Sequence, residues 1–181
     1  SPFELMAGKL IGMIGLSLVG VSLYLGSGYF AAYRYGFAEY LSLRILAWFV
    51  VFLVMGILMF GSLFIAIGAA STDAKESQSL MTPVMLLATL PFFVIPKVIE
   101  QPNGSLATSM SLFPFATPSL MVTRLAVPPG IPWWQPWVGM AVVVLASTAC
   151  VWAGSRVFRV GLLMQGKGAN FSQMLKWIVK G

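Results

Sequence analysis

The chain has 181 residues, of which 59% are apolar and only 9% charged; the formal net charge is +6 and there is no histidine. Soluble domains carry about a quarter charged residues, so a water-soluble fold of this size could not hide so much apolar surface, whereas a bilayer can. Lack of histidine removes the commonest general base and the usual metal ligand. The lone Cys150 excludes an internal disulfide and reads as a small residue inside an apolar run.

Leu10 to Ala32 is a run of 23 residues without a charge. A hydrocarbon core of about 30 Å needs about 20 helical residues at 1.5 Å each, which predicts a first span near 10–32. Glycines stand at 8, 12, 15, 20, 26 and 28. The Gly8/Gly12 pair has the spacing that lets two helices approach closely, although glycine is also simply frequent in membrane helices. Tyr33 to Arg44 holds Arg34, Glu39 and Arg44 with three tyrosines, whose apolar rings and polar hydroxyls suit an interface. Ile45 to Thr72, 28 uncharged residues, predicts a second span near 45–72.

Ser71 to Ser79 reads STDAKESQS, a tight aqueous loop or a helix start. Leu80 to Pro96 predicts a third span near 80–96, kinked or limited by Pro83, Pro91 and Pro96, each of which removes a backbone donor. Residues 97–133 differ in kind: they are apolar but hold prolines at 102, 114, 118, 128, 129 and 132. They predict two short helical pieces broken between Pro114 and Pro118, at a membrane face or re-entering it over 104–127. Asn103-Gly104-Ser105 has the form of a glycosylation acceptor, but in a prokaryotic chain it reads as a turn.

Trp133, Trp134 and Trp137 mark an interface, and a fourth span is expected near 136–155, ended by Arg156 and Arg159. The tail, 156–181, adds Lys167, Lys176 and Lys180. Phe171, Met174, Leu175 and Ile178 recur at i, i+3, i+4 and i+7, which predicts an amphipathic helix lying on the membrane. The fold class that follows is an all-α integral membrane protein with about four transmembrane helices, a broken or re-entrant segment before the last span, and an amphipathic C-terminal helix. The chain begins Ser-Pro with no leader-like segment, so it reads as the middle of a longer polypeptide.

With four spans both ends lie on one side. If that side is the cytoplasm, inside segments hold Lys9, Lys75, Arg156, Arg159, Lys167, Lys176 and Lys180, and outside segments hold Arg34, Arg44, Lys97 and Arg124. The excess of basic residues inside favours this arrangement in a prokaryotic cell membrane. Basic residues placed at the ends of apolar runs are explained by anchoring, so the net charge does not point to nucleic acid.

Chemistry-bearing motifs are few. Neither GxxxxGK[ST] nor GxGxxG occurs; Gly161 to Lys167 begins with Walker-like spacing, but Gly168 follows where Ser or Thr is needed. The acids Glu4, Glu39, Asp73, Glu76 and Glu100 sit at span ends or in loops, so no span carries a carboxylate pair for proton transfer. The spans carry no charge that would mark an ion or proton pathway. This pattern argues against an enzyme and against a gradient-driven carrier with its coupling residues here. It fits a permease moved by a separate engine.

Several segments, in order, resemble the type-2 ABC permease class and within it the NatB-like sodium-efflux permeases. STDAKESQSLMTPV, with Ser71, Glu76, Ser77 and Gln78, is similar to that family's short cytoplasmic loop entering a span. QPNGSLATSMSLFPFATPSLMVTRL, with Ser111, Pro114, Pro118 and Arg124, resembles its proline-broken segment. RVFRVGLLMQGKGANFSQMLKWI, with Arg156, Arg159, Gly161, Gly166 and Lys167, is similar to its C-terminal tail, and SPFELMAGKLIG, with Ser1, Pro2, Phe3, Gly8 and Lys9, to the cytoplasmic segment before a span. Ser77 stands where alanine is common, and Gln101-Pro102 where Asn-Pro is usual.

The resemblance implies the C-terminal part of a longer permease, dimeric with a second permease copy and paired with ATP-binding ABC subunits. Cofactors (ATP and Mg) belong to the partner. Phe3, Glu4 and Lys9 are then candidate ATPase contacts, and so are Asp73, Lys75, Glu76 and Gln78. Ser111, Pro114, Pro118 and Arg124 become a candidate extracytoplasmic gate, with Arg124 alternatively a snorkelling anchor. Sodium or a lipophilic compound is the exported substrate on this reading. The alternative is a non-transporting membrane scaffold or accessory subunit.

Overall fold

In lipid, backbone N–H and C=O groups must be satisfied within the chain, and long uncharged runs achieve this as helices. The computed structural model describes residues 2–36, 42–163 and 171–180. Its elements are α1 (Pro2–Arg34), α2 (Leu43–Ala70), α3 (Ala74–Glu100), α4 (Ser105–Ser111), α5 (Thr117–Ala126), α6 (Gln135–Leu163) and α7 (Phe171–Lys180). No strand occurs among the described residues. Helices α1, α2, α3 and α6 are long and apolar enough to cross a membrane. Ser1, Glu39, Gly166 and Lys167, all singled out in the sequence, lie outside the described residues, as do the side chains of Phe171, Leu175 and Lys180.

The helices overrun the expected spans. The segment Ser1 to Lys9 is not a separate approach to α1, because from Pro2 onward it is the helix itself. Pro83, Pro91 and Pro96 do not interrupt α3, which continues through all three. Arg156 and Arg159 do not end α6, which runs on to Leu163. Arg156 stacks on Trp152 at 4.3 Å and donates to the Ile178 carbonyl at 2.8 Å. That bond satisfies a carbonyl in the last turn of α7 with a cation, the favourable sign at a helix C-terminus. Helix α7 is therefore packed rather than merely laid on a surface. Its Met174 is buried in a cluster with Ala66, Ile67, Ala70, Leu80, Val84 and Val157, and Trp177 and Ile178 pack against it.

The centre of the bundle is the pair α2 and α6, which run parallel. Ser147 Oγ donates to the Met55 carbonyl at 3.1 Å. One heptad on, a Cβ at Gly154 would lie 2.9 Å from the Ser62 carbonyl oxygen, and another heptad on, one at Gly161 would lie 2.7 Å from that of Ala69. Small residues at 147, 154 and 161 thus face carbonyls at 55, 62 and 69. A strict seven-residue repeat keeps one seam facing its partner along the whole pair. Small side chains let the backbones close up, which is how apolar helices gain packing where lipid is as apolar as they are.

Helix α1 is the least buried of the four long helices. Met6 and Leu10 are buried against Phe158, Leu58, Ile65, Ala69 and Val151. A Cβ at Gly8, Gly12, Gly15, Gly20, Gly26 or Gly28 would meet nothing within 4 Å, so the Gly8/Gly12 pair makes no close helix contact in this chain. The seam predicts that Gly154→Leu and Gly161→Leu each cost about 1–3 kcal/mol through overpacking. The check is the thermal midpoint of the detergent-solubilised chain, with Gly15→Ala expected to show no loss.

Candidate functional site

The segment between α3 and α6 folds back on itself for reasons local to its prolines. Helix α4 stops at Ser111, and Pro114, which can neither donate nor hold the preceding residue helical, keeps the chain from continuing. The Phe113 carbonyl then accepts from the backbone amides of Ala116 and Thr117, both at 2.9 Å, and from Thr117 Oγ1 at 2.8 Å. Pro118 falls in the first turn of α5, where no amide donor is needed. Two short helices in a hairpin result, as the proline pattern predicts. Asn103 lies in a turn, also as read, and its Nδ2 donates to the Gly130 carbonyl at 3.1 Å, where Gly130 holds a positive φ of 86°.

The hairpin is wedged between α3 and the α2–α6 pair. On one side Val98, Ala107, Ala116 and Leu120 form a buried cluster, and on the other Phe52, Met121 and Val143 form a second. Pro118 lies 3.4 Å from the Cβ position of Gly56, and a Cβ at Gly139 would lie 2.5 Å from Met121 Cε.

Arg124 sits inside this wedge with 0% exposure, so it is not a snorkelling anchor. Its Nε donates to the Pro102 carbonyl at 2.6 Å and its Nη1 to Ser111 Oγ at 2.6 Å. Its Nη2 donates to Thr108 Oγ1 at 3.2 Å and to Gln135 Oε1 at 2.8 Å. Ser111 Oγ in turn donates to the Thr108 carbonyl at 3.0 Å. One planar guanidinium therefore ties together the turn after α3, helix α4, helix α5 and the first residue of α6. All four of these acceptors are neutral oxygens. Burial pushes the Arg124 pKa below its ordinary value, and the guanidinium stays charged at any physiological pH.

Of the four gate candidates, Ser111 and Arg124 are in direct contact, Pro114 makes the turn, and Pro118 seats the hairpin on α2. Pro102, Thr108 and Gln135 were not found from the sequence. A signal existed: Arg124 is the only basic residue between Lys97 and Arg156, and a cation inside so long an apolar stretch needs polar partners.

The seven other candidates occupy separate places. Asp73 caps α3, its Oδ1 accepting from the Glu76 amide at 2.7 Å. Glu76 Oε2 reaches back to the Thr72 amide and hydroxyl, both at 2.8 Å. This is close to a capping box, with Glu76 reaching one residue beyond the N-cap, and both carboxylates shape the turn. Lys75 and Gln78 are exposed beside it. Phe3 lies beside Met55, Leu58 and Thr148. Met55 is 15 residues from Ala70, about 22 Å along α2, so Phe3 is not brought to the α2–α3 turn. Glu4 is exposed, and Lys9 Nζ lies 5.6 Å from the Phe158 ring centroid.

Residues 1–156 match the family described as ABC-2 family transporter protein. The chain belongs to that family. Members of this family are membrane components of transporters that in general work with an ATP-binding partner. The chain is 27% identical over 122 residues to the uncharacterised protein YhaP of Bacillus subtilis, covering 67% of this chain and 29% of that protein. It is 22% identical over 179 residues to the uncharacterised protein MJ1024 of Methanocaldococcus jannaschii, covering 98% of this chain and 43% of that protein. The chain thus spans less than half the length of either relative. No solved structure matches it significantly.

For an ABC-2 permease, the Arg124 cluster makes the hairpin a fixed unit. Bonds to charged groups contribute about 1.5–3 kcal/mol each. Arg124→Lys, which keeps the charge and loses the fork, is expected to speed amide exchange across 102–126 at least about tenfold. Hydrogen-exchange mass spectrometry measures this; exchange unchanged from the parent would show that the cluster does not hold the pair.

Proposed function

We propose that this chain forms the helical core of a permease subunit in an ATP-driven exporter, of the NatB-like type-2 class, whose ATP-binding partner moves the helices and so carries substrate out of the cell. The observation that carries the reading is the family match over residues 1–156. The layout supports it: apolar helices with no charged pathway between them, a pinned hairpin at one end and a capped turn at the other. In this reading ATP and Mg²⁺ act on the partner, and a second permease copy completes the pathway. The α2–α3 turn and α7 face the cytoplasm, and the α4–α5 hairpin caps the opposite, extracytoplasmic side.

Within this reading the docking surface centres on Lys75 and Gln78, because Asp73 and Glu76 are spent on capping α3. Lys9 flanks α6 and is a further contact. Phe3 is exposed but lies level with the middle of α2, so it stands apart from the docking surface at the α2–α3 turn. Sodium as the cargo rests on the resemblance of the loop, hairpin and tail segments alone.

The test uses the full-length permease co-expressed with its companion ATPase. Lys75→Glu combined with Gln78→Ala is expected to lower recovery of the ATP-hydrolysing partner about tenfold, which corresponds to 1.4 kcal/mol. Asp73→Asn, an equally good helix cap, is expected to retain it. Equal recovery from the double variant would remove the docking assignment. Export by the permease without any nucleotide-hydrolysing companion would remove the ABC reading itself.

A further inference from the structure

A cleft of about 440 Å³ lies between α1, α2, α3 and the start of α5. Its volume falls in the range of small-molecule sites, which recur between helices of bundles. The wall is rich in aromatic rings: Phe49, Phe52, Phe60, Phe64, Phe92 and Phe115 all contribute. Phe60 and Phe115 are tilted at 55° with centroids 5.8 Å apart, and Phe113 extends the row at 5.8 Å from Phe115. Phe92, at the rim, is 68% exposed.

Among the described residues, the only oxygen-bearing side chains in the wall are Ser17 and Ser119, and the Ser119 hydroxyl is turned back to the Ala116 carbonyl at 3.1 Å. A hard cation needs a cage of several oxygens, which two hydroxyls do not supply. A charged ligand would lose its water with nothing in return. A linear acyl chain needs only aliphatic walls. Rings set at an angle to one another offer faces and edges to another ring, an interaction specific to aromatic ligands.

We infer that this cleft is a binding site for a neutral, ring-bearing lipophile of small-molecule size, presented beneath the pinned hairpin. As a substrate site it rests on the transport reading; as a binding site it does not. The hairpin enters the wall directly, since Phe115, Pro118 and Ser119 belong to it. Pro118 against Gly56 sets the distance between the hairpin and α2.

The test measures fluorescence of N-phenyl-1-naphthylamine with the full-length permease in nanodiscs, above the baseline of empty nanodiscs. Saturable binding is expected, unaffected by sodium chloride and not displaced by monopalmitin. Ala88→Phe, which fills the cleft from α3, and Phe60→Ala, which removes part of its wall, are each expected to weaken it about tenfold or more. Phe93→Ala, at a neighbouring position that is 84% exposed and outside the wall, is expected to leave it unchanged. Thermal midpoints matching the parent would show that the variants are folded.

Signal that never saturates, displacement by monopalmitin, or equal affinity in both folded cleft variants would overturn the site. The two readings fail separately. A companion ATPase that copurifies and turns over with no saturable probe binding removes the cleft assignment alone. Saturable binding with no such companion removes the transport reading alone.

Discussion

The register between α2 and α6 is the constraint on which the other contacts depend. Carbonyls at 55, 62 and 69 face Ser147, Gly154 and Gly161 over two full heptads. Any bulk at those three positions would separate the two backbones. Because lipid competes equally for apolar side chains, close backbone approach must supply the attraction that water would supply in a soluble bundle. Helix α1 crosses this pair through Met6 and Leu10, α7 closes over its far end through Met174, and the hairpin wedges into its near end through Met121.

The hairpin end is built on a different principle. Its helices, of seven and ten residues, are too short to hold themselves together by helix propensity. Apolar clusters on both faces position them, and the guanidinium of Arg124 links the four chain segments that meet there. The aromatic cleft exists because this link is rigid: the residues that begin α5 can form a wall only if α5 cannot drift from α2.

Much of this was legible in the sequence. Uncharged runs placed the long helices, and the proline spacing from 114 to 118 placed the break between α4 and α5, because proline acts on its own neighbours. What needed the fold were relations between distant residues. The acceptors for Arg124 come from 102, 108, 111 and 135, and no local pattern says that they converge. Charges alone do not mark the ends of these helices, and α6 runs past both Arg156 and Arg159. Arg156 instead finds Trp152 beside it and an α7 carbonyl across from it. The spacing of Asp73 and Glu76 is that of a helix N-terminal cap, and the bonds they make there leave neither carboxylate free of the turn. The heptad of small residues in α6 was equally present, and it carries meaning only once α2 is known to run alongside.

The four oxygens around Arg124 carry no net charge, and this sets how the hairpin responds to its surroundings. Ion pairs at a surface weaken as ions crowd around them, and those involving carboxylates fail on acidification. A guanidinium enclosed by a carbonyl, two hydroxyls and an amide offers no anion to screen or protonate. The extremity of the molecule that bears this fastening is built to keep its shape in brine and in acid alike.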